Sequence, residues 1–120
     1  MTYPYDYVLL HVVPRVHLRG GDAVGAMLQC RQARFFELRW VTAPDRLAER
    51  YPELPLLRRY LDAVGRTVAG DGPIGRVPGS ERFHWLAATR STVLQPSAVH
   101  TGVTDAPRQA LTRIVEGLRS

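Results

Sequence analysis

Three apolar runs follow one another between Tyr5 and Trp40 with only short polar connections, and this succession constrains the fold more than any other feature of the chain. Tyr5 to Val13 is rich in aromatic and β-branched residues, with apolar groups on both faces. That is the pattern of a strand covered on both sides, placed centrally in a sheet. Beyond a polar turn, His17 to Asp22, the residues Val24, Ala26, Leu28 and Cys30 alternate with Gly25, Met27 and Gln29. Arg31-Gln32-Ala33 turns the chain again, and Phe36, Leu38 and Trp40 face opposite to Phe35, Glu37 and Arg39. Three consecutive strands joined this closely predict an antiparallel meander.

After Trp40 the period changes to that of helices. Thr42-Ala43-Pro44-Asp45 has the form of a capping box with proline in the first turn, and predicts a helix to about Tyr51. From Leu57, apolar residues recur at Tyr60, Leu61, Val64 and Val68, an amphipathic stripe fit to cover a sheet face, with Gly65 weakening its last turns. Residues 69 to 79 hold too many glycines and prolines for a regular element. Ser80 is placed to cap a short helix, Glu81 to Ala88. Ser91 to Gln95 reads as a short strand and Ser97 to Thr104 as irregular, and Asp105 with Pro107 opens a final helix with Leu111, Ile114, Val115 and Leu118 on one face. The expected fold is α+β and two-layer: an antiparallel sheet of three to four strands packed by an amphipathic central helix and a C-terminal helix. With 120 residues, 45% of them hydrophobic, one core and a single domain over 1–120 are expected, and disorder is excluded.

Composition also narrows the function classes. The longest apolar candidate, Val8 to Val13, is interrupted by His11 and stopped by Pro14, so no membrane span is expected. The opening residues show no secretory signal, and the single cysteine, Cys30, has no intramolecular partner, which makes the cytoplasm the expected compartment. All 16 cations are arginine, scattered from Arg15 to Arg119 with one adjacent pair, Arg58 and Arg59. Without a basic run, nucleic acid is disfavoured as a partner.

Polar chemistry is densest between Thr89 and Asp105. Arg90 beside the hydroxyls of Ser91 and Thr92 suits a phosphate or carboxylate group, because a planar guanidinium fork and adjustable hydroxyls are complementary to such anions. The competing reading is that Arg90 pairs locally and the hydroxyls cap turns. His100 is the candidate acid or base, and Gln95, Ser97, Thr101 and Asp105 complete the motif. Ser97, His100 and Asp105 lie too close together in one segment to form a catalytic triad readily, and the nucleophile elbow is absent. His11, His17, His84 and His100 lack metal-ligand spacing, so no metal is expected. The Gly70 to Gly79 loop lacks the Gly-Lys-Ser/Thr ending of a phosphate-binding loop, and no cofactor fingerprint is present, so no cofactor is expected. Ser80 at a helix start, with Arg76 and Arg82 nearby, is a second place where an anion is expected to fit.

Several of these segments together resemble a known bacterial family. Tyr5-Asp6-Tyr7 through Val13-Pro14-Arg15, the Val24-Gly25 strand, Glu81-Arg82-Phe83-His84-Trp85-Leu86, Arg90-Ser91-Thr92-Val93-Leu94-Gln95-Pro96-Ser97 and Val99-His100-Thr101-Gly102-Val103-Thr104-Asp105 look like the domain of unknown function 3037 family. The resemblance covers nearly the whole chain. Where the family usually has Asn-Val-Gly this chain reads Ala23-Val24-Gly25, and the preceding hydrophobic pair is replaced by Gly21-Asp22, so any role of that asparagine is altered here. Members are commonly encoded beside a small HipA-like kinase, which implies an accessory or interaction subunit with a kinase-fold partner. The alternative is a small enzyme or ligand-binding protein that recognises a phosphate or carboxylate through Arg90 and His100.

Overall fold

A computed structural model describes residues 1–13, 22–72, 76–88, 91 and 93–119. Its order is β1 (Tyr3–Val12), β2 (Asp22–Cys30), β3 (Phe35–Trp40), α1 (Pro44–Arg50), α2 (Leu57–Ala69), α3 (Gly79–Ala88), β4 (Leu94–Pro96), β5 (His100–Thr104) and α4 (Pro107–Leu118). The polar turn expected over His17 to Asp22 lies, apart from Asp22, outside the described residues.

The fold is α+β around one antiparallel sheet, with both amphipathic helices packed on it. Strand order is β3-β2-β1-β4, and β5 also pairs β1. The three early runs form the expected meander, and β1 is internal because its two edges are taken by β2 and by β4 with β5. Alternation along β1 explains why it is apolar on both faces. Val8, Leu10 and Val12 face α1, α2 and α3 with Met27, Leu47, Leu57, Leu61 and Phe83, whereas Tyr5, Tyr7 and Leu9 lie on the face where Ala26 and Leu28 meet Leu111 and Val115 of α4. A bulge adjusts this pattern: Leu10 is paired with Gly25 but His11 with Ala23, leaving Val24 as the extra residue. The local kink turns Val24 into the larger core.

Among the described residues the sheet holds five strands, one more than the sequence predicts at most. Residues 97–104 do not stay irregular: His100–Thr104 pairs residue by residue with Tyr7–Tyr3. Gly102 misleads as a loop signal. A Cβ there would lie 2.5 Å from the Tyr5 ring, so glycine marks the place where an aromatic side chain lies across the strand.

Three predicted caps also differ. Thr42, Ser80 and Asp105 do not cap: the residues preceding α1 and α4 are Ala43 and Ala106, neither with a side-chain cap bond, and Ser80 lies inside α3, which begins at Gly79. Proline at N1 of α1 and α4 sets φ without needing its N–H, and Thr104 Oγ1 accepts the Ala106 N–H at 3.0 Å. The stop of α2 follows rule, with Gly70 at φ 94° accommodating the left-handed turn.

Candidate functional site

The segment from Leu94 to Thr104 is one interrupted strand laid along β1. In β4, Leu94, Gln95 and Pro96 pair with Val12, His11 and Leu10; in β5 the register has moved by one residue. Ala98 and Val99 absorb that extra residue opposite Val8, and Ser97 holds the junction. Its amide donates to the Leu9 carbonyl at 2.8 Å, while its hydroxyl accepts the Leu9 N–H at 2.9 Å and donates to the Ala98 carbonyl. The hydroxyl thus replaces the backbone acceptor that the bulge removes from the ladder. Replacing Ser97 by alanine leaves the Leu9 N–H without that acceptor. The expected loss is about 1–3 kcal/mol of unfolding free energy, measured by denaturant titration. An unchanged midpoint would remove Ser97 from this role.

Ser91 and Gln95 of the motif also bond within the chain. Ser91 Oγ accepts the Leu94 N–H at 2.8 Å and donates to the Leu94 carbonyl, and Gln95 Nε2 donates to the Ser91 carbonyl at 3.0 Å. His100 is exposed and stacks on Tyr7, with ring centroids 5.1 Å apart. Thr101 and Asp105 are exposed. Arg90 and Thr92 lie outside the described residues, as does Thr89. Ser97 directs its hydroxyl proton to Ala98 rather than to an imidazole. Among the described residues no three His, Cys, Asp or Glu side chains are grouped to hold a metal ion.

Arg82 stands apart from this strand. Its guanidinium donates to the Val77 carbonyl at 2.6 Å and to the Val68 carbonyl at 3.4 Å, and lies over the Phe36 ring with 5.6 Å to the centroid. It therefore ties α3 to the end of α2 and to the segment before α3. Gly79 sits against Phe36, where an added Cβ would meet the Phe36 Cβ at 3.3 Å, and Phe83 meets the same ring edge-on. These contacts bring the start of α3 against the turn between β2 and β3.

The comparison with protein families covers almost all of the chain. A family model described as a protein of unknown function, DUF3037, matches residues 7–118. The chain belongs to the DUF3037 family. No curated protein and no solved structure matches it. The matched span takes in α3, β4 and β5. Among the described residues no helix is long and apolar enough to cross a membrane.

Two features are not legible from polarity or periodicity in the chain. Val99 and Val103 are exposed at 45% and 67%, on or beside a strand rather than a loop. Arg31 and Arg34 flank a turn whose sequence announced only a change of direction. Their separation by three residues, with both side chains at one hairpin end, was the available signal.

Proposed function

We propose that the protein is an accessory interaction module that docks a larger partner by strand addition along the outer edge of β5, and that the partner is the HipA-like kinase-fold protein implied by the family resemblance. One observation carries the reading: β5 pairs only β1, leaving its far edge open among the described residues. Leu9 exchanges bonds with Ser97, so odd residues of β1 direct their backbone groups toward β4 and β5. Thr101 and Val103 pair with the even residues Asp6 and Pro4, and so direct their own N–H and C=O outward. A partner strand finds there a row of donors and acceptors with an exposed valine beside it.

The rest of this edge bears on where docking occurs. From Leu94 to Thr104 there is no formally charged residue, although edge strands are commonly protected by charge. Pro96 offers no N–H, which restricts addition to β5. The opposite edge strand, β3, is flanked by the Arg108–Glu37 ion pair at 2.6 Å and by Arg119 Nε donating to the Val41 carbonyl.

Val103→Pro tests the proposal. The ring removes only an outward N–H, and the side chain it replaces is exposed, so the ladder to β1 and the core remain. The wild-type protein is expected to co-purify with the purified HipA-like kinase-fold partner. Val103→Pro is expected to bind at least about tenfold more weakly, with the denaturation midpoint little changed. Equal binding by the two proteins, or no binding by either, would overturn the proposal.

A further inference from the structure

At the end of the sheet where β2 turns into β3, the start of α3 overhangs a cleft of about 560 Å³ lined by Gln29, Arg31, Arg34, Phe36, Ser80 and Arg82, among others. The geometry points to this cleft as a binding site for a small phosphate ester, with Arg31 and Arg34 holding the phosphate. It is a site separate from the β5 edge and independent of the docking proposal.

Charge is the first ground. Three guanidinium groups line the cleft against one carboxylate, Glu81. Glu81 forms no ion pair with them among the described residues, and sits in the first turn of α3, where the helix dipole stabilises it. Arg31 and Arg34 are exposed and make no ion pair with a described carboxylate, unlike Arg58 and Arg108, which are each paired. Two exposed guanidinium forks lining one hollow, in excess over its single carboxylate and not ion-paired with it, match a dianionic group, which accepts several charge-assisted hydrogen bonds at once.

The construction of the cleft is the second ground. Arg82 is fixed by two carbonyls and the Phe36 face, so it contributes a positive charge whose position does not depend on a ligand. Gln29, 6% exposed, is held by its bond to Asp6 at 2.8 Å, and gives the cleft a rigid polar wall. Phe35, Phe36 and Pro78 provide apolar surface beside the arginines. The volume falls within the range of about 300–1,000 Å³ typical of small-molecule pockets. It leaves room for an organic body attached to the phosphate. That combination selects a phosphorylated small molecule rather than a bare ion.

Phenyl phosphate and inorganic pyrophosphate, titrated at fixed ionic strength and followed by backbone amide NMR shifts, provide the test. Both probes are expected to shift residues 29–36 and 78–82. The double substitution Arg31→Gln and Arg34→Gln is expected to weaken binding at least about tenfold. Both side chains lie on the surface, and an unchanged amide spectrum without probe will confirm that the fold is intact. Arg59→Gln, an exposed arginine outside the cleft, is expected to bind as the wild type. Shifts scattered over the surface, or an equal loss in Arg59→Gln, would overturn the assignment. Tighter binding of a phosphoserine peptide than of phenyl phosphate would overturn the choice of a small molecule.

Discussion

Truncating Phe83 to alanine should destabilise the protein by about 3–5 kcal/mol, the range for a fully buried aromatic residue. Phe83 is wholly buried and meets Phe36 edge-on at 6.0 Å between centroids. It lies in the same cluster as Val8, Met27, Leu61 and Leu86, so it joins two helices to the sheet. Its removal leaves a hole that rigid β-structure on one side cannot close. Because single domains are stable by only about 5–15 kcal/mol, such a loss is a large share of the total. Denaturant titration should show a much lower midpoint with the slope unchanged. The same substitution loosens the Phe36 ring under Arg82, and should therefore weaken phenyl phosphate binding. A loss below about 1 kcal/mol, outside the usual range for this substitution, would mean that α3 is not held to the sheet through this ring.

Gly25→Ala should cost about 2–3 kcal/mol although it adds only a methyl group. A Cβ at that position would lie 2.5 Å from Trp40 Cε3 and 2.9 Å from the Arg39 carbonyl oxygen. The indole can swing, but the carbonyl belongs to the neighbouring strand and moves only if the β2–β3 pairing moves with it. Gly102 provides the contrast. There the three atoms nearest the added Cβ all belong to the outer end of the half-buried Tyr5 side chain, not to backbone. The smaller loss expected at Gly102 tests whether immovable backbone, rather than crowding in general, decides the cost. Equal effects at the two glycines would sink that explanation.

These glycines show how far the fold was legible in the chain. Alternation marked β2 and β3, a β-branched and aromatic run apolar on both faces marked β1, and the i, i+3, i+4 stripe marked α2 and α4, because each element packs on apolar partners. The caps were less legible. Thr42, Ser80 and Asp105 have suitable side chains, but whether a hydroxyl or carboxylate turns toward a helix end depends on what else competes for it. In this fold Pro44 and Pro107 set the helix starts without them. β5 was hidden because Gly102 and the polar residues around it belong as well to a loop as to an edge strand.

The 89–105 motif is marked in the chain by its polarity, which suggested chemistry. In the fold, Ser91, Gln95, Ser97 and Thr104 satisfy backbone groups around a bulged strand, while Val103 is exposed. Polarity in sequence does not say whether a group faces the chain or a partner. That depends on pairing with β1, 88 residues away in the Leu9–Ser97 bond.

Local periodicity by itself determined the α+β class, the early meander and the two amphipathic helices, because each of those patterns depends on neighbours within a few residues. Only tertiary structure decided that 94–104 would complete the sheet on β1, that β5 would be left with an open edge, and that Arg31 and Arg34 would meet the start of α3 across a cleft. Each of these joins segments far apart in the chain, where the outcome depends on which of several competing surfaces is buried first and most completely.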